Sequence, residues 1–116
     1  MPADTLSKAV GRAARLLGIK PSQLSGILGI SAATASRMAT GEYQLQSNCK
    51  EWELGTLFVQ LFRSLDALLG HGEQAHTWLN NQNLALGKPP VELIESEEGL
   101  IRVLHYLDAC RGRTGL

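Results

Sequence analysis

Residues 21–41, PSQLSGILGISAATASRMATG, decide the fold of this chain. The pattern predicts two short helices, over about residues 21–28 and 31–40, joined by a tight turn at Gly29. Proline is favoured in the first turn of a helix, and serine is a good N-cap. Glycine accepts the positive φ that such a turn needs. The apolar residues lie where a helix-turn-helix keeps its internal contacts, so we predict that fold for this segment.

The outward face of the second predicted helix is small and polar and carries one arginine. Such a face can approach base edges in the major groove of DNA. An ordinary αα-hairpin with a solvated outer face is the alternative, but the lack of bulky acids on this face favours DNA. We therefore predict that this face and the start of the first helix contact DNA through Ser22, Gln23, Ser31, Ala32, Ala33, Thr34, Ser36, Arg37 and Thr40.

The charge of the chain is unevenly distributed, although its 11 basic and 11 acidic residues cancel. Residues 1–50 hold six basic and two acidic side chains, a net charge of +4, and residues 51–116 hold five and nine, a net charge of −4. Basic charge favours the approach to phosphates. The distribution fits a nucleic-acid-binding module joined to a module that has another partner.

A long helix is predicted from Ser47 or Asn48 to about Leu69, where Asn48 and Glu51 have the spacing of a capping box. Its apolar residues recur at helical spacing and form a wide stripe. A monomer core is the simpler explanation of this stripe. Helix-turn-helix proteins usually bind paired half-sites as two-fold dimers, so we prefer a homodimer interface. The residues predicted for it are Leu54, Phe58, Leu61, Phe62 and Leu65.

The remaining segments also have helical patterns. A first helix is predicted over residues 5–17, capped by Asp4 or Thr5. Short helices follow at 73–79 and 91–95, and a last helix begins after Ser96 and ends at Gly112. No segment has a strand pattern. We predict an all-α fold with a helix-turn-helix DNA-binding domain at 1–49, a long linking or dimerisation helix at 50–70 and a second module at 71–116.

Several classes of function are not expected. The three histidines and two cysteines lack the spacing of a zinc site, and no phosphate-binding loop or nucleophile turn is present. We therefore expect that the protein is not an enzyme and that it binds no metal or cofactor. A second module of about 45 residues leaves little room for a small-molecule cavity. The sequence has no disulfide framework, no signal-peptide pattern and no membrane-spanning run. We therefore expect a cytoplasmic protein with no membrane partner.

Both parts of the chain resemble known protein families. Residues 21–41 resemble the DNA-binding half of Xre-type repressors, with Ser25 where alanine is usual. The second module resembles the toxin-binding domain of the Xre/MbcA/ParS antitoxin family. The residues that carry this resemblance are RSLDALLG at 63–70, Trp78-Leu79, Asn83 with Leu86-Gly87, Pro89-Pro90 and the helix from Glu98-Gly99 to Leu107.

The resemblance implies an antitoxin of a type II toxin–antitoxin system. Its partner would be a RES-domain toxin that depletes cellular NAD, and the antitoxin would obstruct the cleft of that enzyme. It would also repress its own operon by binding operator DNA. A stand-alone helix-turn-helix regulator and a chromosome- or plasmid-partition adaptor are the alternatives, because this kind of fold serves several functions.

Two features of the second module suggest where a toxin would bind. Trp78 is a plausible anchor, since tryptophan is enriched at binding hot spots. The last residues carry two arginines and no acid, which suits a cleft that binds a pyrophosphate. We expect this end of the chain to inhibit the toxin directly. The predicted toxin-binding residues are Trp78, Leu79, Asn83, Leu86, Arg111, Arg113 and Leu116.

Overall fold

Seven α-helices make up the described part of the protein, which is residues 3–114 for the backbone and 4–112 for the side chains. The computed structural model places no strand among these residues, so the predicted all-α fold is confirmed. The helices are α1 (Ala3–Leu17), α2 (Pro21–Leu28), α3 (Ala32–Ala39), α4 (Lys50–Leu69), α5 (Glu73–Asn80), α6 (Pro90–Leu93) and α7 (Glu97–Thr114).

Helices α2 and α3 form the predicted helix-turn-helix. Gly29 follows α2 with φ 70°, and its N–H bonds to the Ser25 carbonyl oxygen at 2.9 Å. A side chain at this φ would be strained, so glycine suits the turn. Ser31 caps α3, because its Oγ accepts the Thr34 N–H at 3.1 Å. The buried residues that hold the pair are Leu24, Ile27, Leu28, Ala35 and Met38.

Helix α4 is the central element of the fold. It packs against α1 and α2 on one side and against α5 and α7 on the other. This double coverage accounts for the width of its apolar stripe. Four of the residues predicted for a dimer interface are therefore buried inside one chain, and the prediction is wrong for Leu54, Phe58, Leu61 and Leu65. Phe62 is the member of that set that keeps part of its surface exposed.

The start of α4 differs from the predicted capping box. Cys49 is the N-cap residue and makes no capping bond through its side chain, so Asn48 lies one position too early. The Glu51 carboxylate instead accepts the Tyr43 hydroxyl at 2.5 Å and the Gln46 N–H at 3.2 Å. The bond to Glu51 raises the pKa of Tyr43 to about 12. Glu51 therefore stabilises the preceding loop through these hydrogen bonds and does not cap α4.

The other helix boundaries are close to those predicted, with two differences. Helix α1 begins at Ala3, so Asp4 and Thr5 lie in its first turn and do not cap it. Helix α7 begins after Ser96 as predicted, with the Gly99 N–H bonded to the Ser96 Oγ at 3.0 Å. It continues to Thr114 and does not end at Gly112, which has no positive φ. A glycine in a helix costs about 1 kcal/mol relative to alanine, which is too little to end the helix by itself.

A buried polar link joins α4 to α7. The Ser64 hydroxyl is buried and donates to Asp108 Oδ1 at 2.6 Å. Arg111 Nη1 donates to the same hydroxyl oxygen at 3.0 Å. A buried hydroxyl without partners would be destabilising, so this serine favours one alignment of the two helices.

We predict that Gly99→Ala destabilises the protein. A Cβ at this position would overlap the carbonyl oxygen of Leu93 and lie 3.0 Å from the Ser96 Oγ. The backbone between α6 and α7 would have to move, which should lower the free energy of unfolding by about 1–3 kcal/mol. Urea denaturation measures this change.

Gly112→Ala is the matched control, since Gly112 lies in the same helix and a Cβ added there would have no heavy atom within 4 Å. This variant should lose no stability and gain up to about 1 kcal/mol from helix propensity. Equal stability of the two variants would contradict the prediction.

Candidate nucleic-acid and partner interfaces

Helix α3 and its two caps bring most of the predicted DNA-binding residues to one region. Thr34 is half-buried, and α3 carries no acid in its first turn. From α2, Ser22 is exposed and Gln23 is half-buried in the first turn. Small side chains allow a helix backbone to come close to base edges in the major groove. The predicted DNA-binding residues that are exposed on α3 and its caps are Ser31, Ala32, Ala33, Ser36, Arg37 and Thr40.

Hydrogen bonds organise the polar groups of this surface. The Ser31 hydroxyl donates to Thr34 Oγ1 at 2.8 Å, and Arg37 Nη2 donates to the same Thr34 oxygen at 3.3 Å. The Thr40 hydroxyl donates to the Arg37 carbonyl oxygen at 3.0 Å. A guanidinium has five N–H donors, and the bond to Thr34 uses one of them. Arg37 therefore has donors to offer to a base or a phosphate.

Gln23 has a structural role in addition to the predicted one. Its Oε1 accepts the Lys20 N–H at 2.9 Å, which satisfies a backbone donor at the start of α2. This bond fixes the direction in which the chain enters the helix-turn-helix.

The predicted toxin-binding residues separate into different environments. Leu79 and Leu86 are buried, so they hold the module together and cannot contact a partner in this fold. The prediction is wrong for these two leucines, because sequence spacing did not reveal which apolar groups pack inward. Trp78 is half-buried and stacks on Tyr106, with ring centroids 6.4 Å apart and planes inclined by 16°. Its remaining surface is open to a partner.

Asn83 shapes the turn between α5 and α6. Its Oδ1 accepts the Leu86 N–H at 3.1 Å, and its carbonyl oxygen accepts the Gly87 N–H at 2.7 Å. Asparagine commonly stabilises turns through such local bonds. The side-chain amide of Asn83 therefore stabilises the turn. Asn83 is half-buried, so only part of its surface faces solvent.

The end of the chain differs from the predicted tail. Arg111 lies inside α7 and bonds to Ser64, so it is not part of an extension beyond the helix. The side chain of Arg113 and all of Leu116 lie outside the described residues. Inhibition of a toxin by this end of the chain stays a prediction.

Leu84 is 96% exposed and was not among the predicted toxin-binding residues. Leu84 and Leu86 occur two residues apart in the same polar turn, and nothing in their spacing distinguishes them. In the structure the Asn83 side chain accepts the Leu86 N–H, Leu86 is buried and Leu84 is exposed.

The basic and acidic halves of the chain touch each other directly. Lys50 Nζ lies 2.7 Å from Glu97 Oε2, joining the start of α4 to the start of α7, and this bond raises the pKa of Lys50. Gly26 on α2 approaches Glu95 so closely that a Cβ there would lie 2.5 Å from the Glu95 Oε1. The helix-turn-helix and the second module are therefore packed against one another.

The described part of the chain has neither a group of metal ligands nor a membrane-spanning helix. No three His, Cys, Asp or Glu side chains between residues 4 and 112 are grouped as metal ligands would be. None of the helices there combines the length and the apolar character needed to cross a bilayer.

Two family models match this chain. The antitoxin Xre-like helix-turn-helix domain matches residues 3–60, which is half of the chain. The antitoxin Xre/MbcA/ParS C-terminal toxin-binding domain matches residues 64–113. The chain belongs to the Xre family of antitoxins. A comparison with curated proteins found no match.

The two matches agree with the architecture of this antitoxin. The first includes α3 and its exposed face, and the second includes α5, α6 and nearly all of α7. A helix-turn-helix domain and a toxin-binding domain bind partners and are not enzymatic. The two matches meet between residues 60 and 64, inside the unbroken helix α4.

We predict that Arg37→Ala weakens binding to operator DNA. Arg37 is the basic residue of α3, and a bidentate arginine–base contact contributes about 1–3 kcal/mol. Fluorescence anisotropy at one fixed salt concentration, with DNA from upstream of the antitoxin gene, measures the loss. Arg102→Ala on α7 removes an equal charge from an exposed site in the other half and is the control. Equal affinities of the two variants would refute the role of Arg37.

Proposed function

We propose that this antitoxin neutralises a RES-domain toxin that depletes cellular NAD and represses its own operon by binding operator DNA as a homodimer. The observation that supports this most is the match of residues 64–113 to a toxin-binding domain in the same chain as a helix-turn-helix. The choice of a RES-domain partner rests on the resemblance of residues 63–107 to antitoxins that pair with such toxins.

The DNA-binding part of the proposal is supported by charge and shape. The first 50 residues carry a net charge of +4, which favours the approach of this half to phosphates. On α3, small groups leave room for close contact, and Arg37 supplies donors for base acceptors. The acidic second half has the opposite charge, so its binding partner is expected to be a protein and not the same DNA.

Co-expression with the product of the neighbouring gene, which the proposal expects to be a RES-domain protein, tests the toxin-binding part. Cells that express the toxin alone should lose NAD, and cells that also express the antitoxin should retain it. The two proteins should co-purify. Arg37→Ala should protect NAD as well as the wild type does, because Arg37 lies in the DNA-binding half. If no complex forms and NAD is lost in all cases, this part of the proposal fails.

The homodimer is the second part of the proposal. Two-fold helix-turn-helix dimers place their recognition helices about 34–36 Å apart, one turn of DNA. Phe62 lines a surface groove of about 330 Å³ between α1 and α4, together with Leu16, Val59, Arg12 and Arg63. A partly exposed aromatic ring that lines such a groove suits the centre of an interface between copies.

We predict that Phe62→Asp dissociates the dimer. Analytical ultracentrifugation should find the wild type as a dimer at micromolar concentration and the variant as a monomer with unchanged helix content by circular dichroism. Phe62→Leu keeps an apolar group in the groove and should remain dimeric. A wild-type protein that sediments as a monomer under these conditions would rule out a stable dimer.

A further inference from the structure

The turn between α5 and α6 presents one large apolar side chain to solvent. Among the side chains of residues 4–112, Leu84 is the one large hydrophobic group that is exposed. Isolated surface leucines are common in proteins, so exposure alone does not indicate a site. Leu84 differs from an ordinary surface leucine in the turn that carries it and in the polar residues beside it.

Leu84 is held in place by a bonded turn. The side chain and the carbonyl oxygen of Asn83 accept backbone N–H groups from Leu86 and Gly87. The Gln82 amide donates to the Gly87 carbonyl oxygen at 2.8 Å. Leu86 is buried and anchors the turn to the core. These bonds constrain the backbone that carries Leu84, so the turn loses less conformational entropy on association than an open loop would, which favours affinity.

The residues around Leu84 resemble the rim of a protein interface. Asn81 and Gln82 are polar and exposed, and Ala85 is small and exposed. Protein interfaces commonly place an apolar group at the centre and polar groups at the edge. A phosphate backbone offers no apolar pocket to a leucine, and the acidic half that carries the turn is unsuited to DNA.

We propose that Leu84 is an anchor residue that inserts into an apolar pocket on the surface of the toxin. The toxin is the occupant chosen because Leu84 lies within residues 64–113, the part of the chain that matches a toxin-binding domain. The inference rests on the proposed function, in which this antitoxin binds a RES-domain protein. It adds a contact site on the turn between α5 and α6, distinct from the end of the chain.

Binding of purified antitoxin variants to the purified RES-domain protein tests the anchor. Leu84→Ala should weaken binding roughly 10- to 100-fold, as expected when a buried leucine side chain is truncated. Leu84→Met, which keeps a similar apolar volume, should bind within about threefold of the wild type. Lys88→Ala, a truncation of an exposed side chain beside the same turn, is the matched control and should also stay within about threefold.

Three outcomes would overturn the anchor role. Leu84→Ala could bind the toxin as tightly as the wild type, or Lys88→Ala could lose as much affinity as Leu84→Ala. The sedimentation of Leu84→Ala could also change while its toxin affinity does not, which would assign Leu84 to contacts between copies. Operator affinity and helix content should be unchanged in all variants. If the wild type itself does not bind the RES-domain protein, the proposed function fails, and that result is distinguishable from failure of the anchor alone.

Discussion

The burial of α4 from both sides is the constraint on which the rest of the structure depends. Helices α1 and α2 cover one side of its apolar stripe, and α5 and α7 cover the other. Phe58, Leu61 and Leu65 are fully buried by this arrangement. Neither half of the chain therefore has a complete core without α4. The helix-turn-helix and the toxin-binding module are separate as family domains but share one packed interior.

Polar contacts fix how the helices of this interior are aligned. Apolar burial is not directional, so it stabilises several alignments of two helices almost equally. The buried Ser64 hydroxyl is satisfied only where Asp108 and Arg111 meet it, which selects one alignment of α4 and α7. The exposed pair of Lys50 and Glu97 joins the same two helices near their starts. Because solvent screens these charges, the pair contributes less to stability.

Local rules explain how much of the fold could be predicted from the sequence. The turn at Gly29 and the caps at Ser31 and Ser96 depend on neighbouring residues, so they could be located without a structure. The coverage of the α4 stripe depends on α7, which begins almost 30 residues after α4 ends, and sequence periodicity does not show which helices meet. For the same reason, the outward direction of Leu84 and the inward direction of Leu86 became clear only from the closed turn.

The junction between the two family matches lies inside α4, and this position links the directions of the two binding surfaces. Each residue of an α-helix advances the chain by about 1.5 Å and turns it by about 100°. Adding or deleting one residue between positions 60 and 64 would therefore turn the later part of α4 by more than a quarter of a circle relative to its earlier part. Phe58 and Leu65, which are now buried together, would then face different directions. The relative orientation of the helix-turn-helix and the toxin-binding module thus depends on the number of residues in α4, as well as on their identity.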